Sequence, residues 1–278
     1  MTSTLEPTDE RAEAAESPAP RPRRGRRRSV TLLRGSAAVI AFLAVWEVVP
    51  RLGLVDRVFL PPFSEVLAAW WQLAVSGELG EHLGASLVRA LGGLVLAVVV
   101  AIPLGIALGW YRPVAEALNP LLEIFRNTAA LALLPVFVLL LGLGESSKIA
   151  LVMFACSWPI LLNTASAVRT VDPLLVRSAR SLGFGAGAVF RKVVLPSTVP
   201  TLFTGVRLAA AVSLLVLVAA EMAGANAGLG YLITAAQFNV EVPQMYAGIL
   251  TISLLGLGIN QLLVVLERRV SRWRPATG

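Results

Sequence analysis

Apolar residues fall into six blocks, separated by short polar or charged stretches: Thr31–Val49, Leu87–Trp110, Leu118–Leu143, Ile149–Val168, Leu202–Ala223 and Tyr246–Leu266. Each is close to the ~20 apolar residues that cross the hydrocarbon core of a bilayer as a helix. The pattern predicts an all-α integral membrane protein with six transmembrane helices. Strongly basic segments recur on one side only: RPRRGRRR before the first block, the Arg169–Lys192 stretch between the fourth and fifth, and ERRVSRWR after the sixth. Residues Gly224–Val242 hold no Lys or Arg. The bias of Lys and Arg toward the cytoplasmic face places both termini in the cytoplasm.

Between the first two blocks, Pro61-Pro62 predicts a turn and Ser64 the cap of a short interfacial helix with Val66, Leu67, Trp70 and Leu73 on one face. In the second block Gly92, Gly93, Gly105 and Gly109 predict close approach of another helix, and Pro103 predicts a bend. Arg89, near its outer end, is expected to snorkel or to pair with Glu81. The third block opens with Glu123, Arg126, Asn127 and Thr128, which are polar for a lipid-facing helix. Glu123 and Arg126, three apart, read as an interfacial pair. Asn127 and Thr128, with Asn163 and Thr164 of the fourth block, are the candidate lining of a translocation path. Glu47 and Glu221 sit near the outer ends of the first and fifth blocks, either as interface caps or as parts of an outer gate, for which Glu221 is the candidate.

The stretch Asp172–Pro200, DPLLVRSARSLGFGAGAVFRKVVLPSTVP, is the most informative. Asp172 followed by Pro173 is a helix start, an acceptor at the N-cap before a residue with φ already set. Val176, Ala179 and Gly183 form a small-residue strip, with Arg177 and Arg180 off it. Gly183, Gly185 and Gly187 break the helix, and a second short turn, Ala188–Val194, ends at Leu195-Pro196. This predicts a helix–turn–helix elbow with its cations outward; a solvated loop of basic composition is the alternative.

Composition supports a membrane protein. Of 278 residues 56% are hydrophobic and 15% charged, where soluble chains carry roughly a quarter charged, and the mean hydropathy is +0.75. The net charge of +7 follows the membrane topology rather than nucleic-acid binding. The single Cys156 excludes an intrachain disulfide, and the single His82, without ligand partners nearby, reads as an interfacial residue rather than a metal ligand. Neither lysine, Lys148 or Lys192, completes a phosphate-binding G-x-x-x-x-G-K-[ST] loop, so ATP, if used, is held by another chain. The domain plan is a disordered basic arm at 1–29, a six-helix transmembrane domain at 30–272 containing a loop at 169–200, and a tail at 273–278.

From about His82 to Arg274 the chain resembles binding-protein-dependent ABC permeases of the nitrate/sulfonate/taurine group. The residues that carry this are SLVRALGGLVLAVVVAIPLGIALG, LALLPVFVLLLGLGESSKI, PILLNTASAVRTVDP, VLPSTVP and AAEMAGANAGLGYLI. The elbow is similar to the cytoplasmic EAA coupling loop of these permeases. Arg177-Ser178-Ala179 stands at the triplet, Gly183 at its glycine and Leu195-Pro196 at its closing pair. Arg177 replaces the usual Glu, and Ala129-Ala130 stands where many relatives have prolines, a change expected to straighten the third span or alter the pathway lining.

The resemblance implies the type I ABC importer permease fold, in a multi-pass subunit of a bacterial inner membrane. It implies a second permease copy, a cytoplasmic ABC ATPase dimer that holds ATP-Mg, and an extracytoplasmic substrate-binding protein. No cofactor is expected on this chain. Arg177, Ser178, Ala179, Arg180, Gly183, Leu195 and Pro196 would then contact the ATPase, and the solute would be small and anionic. An ion-gradient-driven transporter is the alternative, but no internal repeat or ionisable centre is evident. A membrane scaffold and a membrane enzyme follow behind.

Overall fold

The computed structural model describes the backbone of residues 24–270 and the side chains of residues 37–269. Expectations for the rest of the N-terminal arm and for the 273–278 tail lie outside the described residues. Eleven α-helices are described in this region: α1 Arg24–Arg51, α2 Phe63–Val75, α3 Glu78–Trp110, α4 Arg112–Arg126, α5 Leu134–Leu141, α6 Glu145–Arg169, α7 Pro173–Ser181, α8 Ala186–Val189, α9 Leu195–Gly224, α10 Leu229–Phe238 and α11 Val242–Val270. A 3₁₀ turn, Ala130–Leu133, precedes α5, and a π turn, Phe190–Val194, joins α8 to α9. The fold is all-α, as the hydropathy pattern predicts. Helix α1 begins inside the stretch expected to be disordered, where arginines, good helix formers, continue the helix of the first span.

Four stretches are long and apolar enough to cross a membrane: Glu78–Trp110, Glu145–Arg169, Ala186–Gly224 and Val242–Arg269. A fifth is α4 with Ala130–Leu141, if the pair counts as one span. The predicted sixth, Thr31–Val49, lies within α1, only part of whose side chains are described.

The third predicted span is not continuous. Its halves meet at 86°. The side chains of Asn127 and Thr128 turn back to the carbonyls of Glu123 and Ile124, at 2.8 and 3.0 Å, in the last turn of α4. Ala129 then runs extended, with ψ 116°. The bend therefore forms without prolines at 129 and 130, contrary to the expectation that their loss straightens the span.

The core is the contact of α3 with α6 and α9. Gly93, Ala97, Ala101, Gly105 and Gly109 recur every fourth residue along α3, and Val152, Cys156, Ile160, Thr164 and Val168 do so along α6. In a helix such rows form ridges, and here the small row of α3 receives the larger row of α6. A Cβ added at Gly93 would lie 2.6 Å from Val152, and one at Gly105 2.6 Å from Thr164. In lipid, where apolar burial drives no association, such close backbone contact supplies the attraction. Gly205 of α9 meets α6 in the same way, against Asn163 and the Pro159 carbonyl.

Around this core, α2, α10 and α11 form a second apolar cluster built on Val66, Leu73, Leu229 and Leu232. Ser64 is not the cap of α2. Pro62 holds that position, and the Ser64 N–H and hydroxyl both donate to Glu47 at 2.9 Å, tying α1 to α2. Leu67 is exposed rather than part of the buried face.

Replacing Gly105 with Leu should cost about 1–3 kcal/mol or prevent folding, because the added side chain must enter Thr164. Thermal unfolding of the detergent-purified chain checks this, with Gly80→Ala, which meets nothing within 4 Å, as the unaffected comparison.

Candidate functional site

The elbow that follows α6 is a built structure. Asp172 Oδ1 accepts the Leu174 N–H at 2.8 Å, and Pro173 fills the first turn of α7. The helix closes on Gly183 at φ +82°, with the Gly183 N–H on Arg180 O and the Phe184 N–H on Ala179 O, at 2.9 and 3.1 Å. These two bonds make a Schellman close, which a left-handed glycine permits. Gly183 is thus the turn itself rather than the end of a buried strip. Gly185 and Gly187 do not share its conformation, and Gly187 lies inside α8.

Beneath the elbow, Ala179, Val189 and Val194 are buried against Val168 of α6. Trp110, the last residue of α3, packs edge-on to Phe190 with ring centroids 5.2 Å apart. The elbow therefore rests on the ends of α3 and α6 and is not a solvated loop. Arg177, Ser178 and Arg180 are exposed, as are Leu174, Leu175 and Leu182. Sequence reasoning missed these leucines, whose signal was apolar residues beside arginines on the open face of a short amphipathic helix.

Leu195-Pro196 does not end the second arm. Residues Ala186–Gly224 form one continuous helical stretch. The Leu195 N–H bonds to Phe190 O, five residues back, and the wider turn absorbs the donor that Pro196 lacks.

The candidate path residues separate. Asn127 and Thr128 lie at the α4–α5 bend, bonded to their own helix. Asn163 is half-buried, its amide donating to Pro159 O at 2.8 Å, and its Cβ faces Gly205 of α9. Thr164 is fully buried against Gly105, with its hydroxyl unpartnered. It belongs to the α3–α6 contact and does not line an open path. Glu123 and Arg126 pair at 3.6 Å, as their spacing predicts.

At the end opposite the elbow, Glu221 is not an interfacial cap. Its side chain is fully buried. It takes Arg89 Nη1 at 2.6 Å, the Ser86 hydroxyl at 2.9 Å and the Gly230 N–H at 2.9 Å. Arg89 pairs with Glu145 as well, Nη2 to Oε1 at 2.6 Å, rather than snorkelling or reaching Glu81, which is exposed. His82 is buried too, its Nδ1 accepting the Gly228 N–H at 3.2 Å. Ser86 Oγ accepts the Leu229 N–H at 2.8 Å.

The first N–H groups of α10 are thus held by side chains of α3 and α9, and a carboxylate lies at the positive end of the helix. Lys148, also buried, donates to the carbonyls of Leu143 and Gly144. The signal in the sequence was charge balance: Arg89 and Lys148 against Glu145 and Glu221, all within or beside apolar runs that require partners.

Comparison with known proteins gives a consistent result. Residues 101–272 match the family described as binding-protein-dependent transport system inner membrane component. The chain is 36% identical over 251 residues to the taurine transport system permease protein TauC of Escherichia coli (strain K12), covering 88% of this chain and 90% of that protein. It is 30% identical over 244 residues to the nitrate import permease protein NrtB of Synechococcus elongatus, covering 83% and 86%. Among solved structures, a chain of the MetNI methionine ABC transporter, in an inward-facing conformation, superposes with a TM-score of 0.61 at 18% identity. That match covers 71% of this chain and 98% of the other, and it shows a shared fold.

Glu221→Leu should destabilise the folded chain by about 3–5 kcal/mol, since it leaves a buried guanidinium short of a partner. The double variant Arg89→Leu/Glu221→Leu should recover part of that loss. Unfolding midpoints in detergent check both, and a double variant no more stable than the single one would contradict the charge argument.

Proposed function

We propose a function from one premise: the chain belongs to the family of binding-protein-dependent transport system inner membrane components. It is a membrane-embedded permease subunit of an ABC importer. Two copies of this chain form the path, a cytoplasmic ATPase dimer holding ATP-Mg drives it, and an extracytoplasmic binding protein delivers the solute. The termini and the elbow lie on the cytoplasmic side, which the clustering of Lys and Arg supports. The solute is a small anion of the sulfonate or nitrate kind, a reading supported by what the relatives' names describe.

The observation that carries the mechanism is the elbow's exposed face. Leu174, Arg177, Arg180 and Leu182 project from a helix capped at both ends and seated on α3 and α6. A partner that pushes this face moves the ends of two tightly packed helices, not a flexible loop. Leu195-Pro196 stands where the elbow continues into α9, so displacement passes into a third helix. Arg177, in the place of a family Glu, calls for an acidic or polar surface on the ATPase. Asn127, Thr128 and Asn163 remain the candidate polar lining of the path, with Thr164 removed by its burial. The family and the relatives' names support the ABC importer reading and not the ion-gradient-driven alternative.

Gly183→Trp tests the coupling role. Space around a Cβ at Gly183 is open within this chain, so the cost to folding is confined to the backbone, about 1–2 kcal/mol. Gly183→Ala carries the same backbone cost without the bulk. ATP-driven uptake by the reconstituted assembly should fall about ten-fold or more for Gly183→Trp relative to Gly183→Ala. Equal uptake by the two variants would remove the elbow from the partner contact.

A further inference from the structure

Helix α4 lies over the ends of α3 and α6 without sealing against them. Only Ala115 of its fifteen residues is buried. Beneath it runs a cleft of two adjoining lobes, about 460 and 590 Å³, that share Leu108, Asn119 and Arg169. Arg112 stands on the wall of one lobe and Arg126 on that of the other. These are the first and last residues of α4, so the cleft follows about 21 Å of helix. Each lobe thus has a guanidinium of its own and one in common.

The carboxylates present do not balance them. Glu123, on the wall of the first lobe, pairs with Arg126 at 3.6 Å, and its side chain is 70% exposed. Glu116, in the second lobe, makes no ion pair with Arg112 within 4.0 Å among the described residues. Arg169 donates to the Leu108 carbonyl at 3.1 Å and has no carboxylate at ion-pair distance among the described residues, which leaves its other donors free. Ser166 adds a hydroxyl. The remaining wall, Leu122, Leu161 and Leu162, is apolar.

We propose that this cleft binds an oxyanion, and that its occupant is the phosphate of an anionic phospholipid. Guanidinium forks match the geometry of phosphate oxygens. The apolar wall suits the start of an acyl chain, and Trp110 and Tyr111 close the end of α3 with the residue types that sit at headgroup depth. Basic pockets between helices on the cytoplasmic side of a membrane take lipid headgroups in this manner. The inference rests on the assignment of the elbow end to the cytoplasmic side, but it requires neither ATP nor uptake for its test.

The experiment uses the full permease–ATPase assembly, equilibrated in vesicles of phosphatidylcholine with phosphatidylglycerol and then purified in detergent. The readout is phosphatidylglycerol retained per permease chain, measured by native mass spectrometry. The wild-type assembly should retain it in preference to phosphatidylcholine, and Arg169→Gln should retain about five-fold less. Arg269→Gln, a charge loss outside the cleft, should retain as much phosphatidylglycerol as wild type.

Equal retention by Arg169→Gln and wild type overturns the site. A second arm adds methanesulfonate or inorganic phosphate to the purified assembly. If these bind in an Arg169-dependent way while no lipid is retained, the cleft serves a soluble anion and the lipid assignment is overturned. Retention that follows Arg169 in an assembly whose elbow variants transport normally leaves this inference standing and removes the coupling mechanism instead.

Discussion

The closeness of α3 to α6 is the constraint from which the rest of the structure follows. Where Gly93 and Gly105 face Val152 and Thr164, there is no room for a side chain, so the two backbones run nearly in contact along most of their length. Such a contact has little capacity to slide, because moving one helix by a residue would bring bulk against bulk. Helix α9 joins the pair through Gly205 by the same means. Together these three helices form a block against which α2, α4, α5, α10 and α11 pack.

The two ends of this block have different chemistry. At one end buried Arg89 and Glu221, with the exposed carboxylate of Glu145, tie α3, α6 and α9 together and fix the entry into α10. At the other, the same α3 and α6 carry the elbow through Trp110 and Val168. From Arg89 to Trp110 is about 32 Å of helix, close to the thickness of a hydrocarbon core. Helices α4 and α5 pack more lightly against this block than α3, α6 and α9 pack against one another.

Much of this was legible in the residues themselves. The apolar blocks and the capped start of α7 follow from local chemistry, and the glycines of α3 announced a close neighbour. What stayed hidden depended on partners distant in sequence. Arg89 could be matched with Glu81 because that residue lies nearby in the chain, but its partners are 56 and 132 residues away. Thr164 looked like a polar lining because its hydroxyl was counted and its position on the α6 ridge was not. The break between α4 and α5 is hidden in the sequence because Asn127 and Thr128 show their polarity there but not the carbonyls of α4 that their side chains bond.

The π turn at Phe190–Val194 has a consequence for how the elbow is oriented. One surplus residue in a helix shifts the azimuth of everything beyond it by about 100°. The apolar stripe of α9 and the face presented by the elbow are thus set independently, with five residues acting as a phase adjuster between them. Removing one residue there would leave the membrane-facing pattern of α9 intact while turning the cations of the elbow a quarter-turn around the axis. Length in this short stretch, more than the identity of any residue within it, fixes the bearing on which a partner is met.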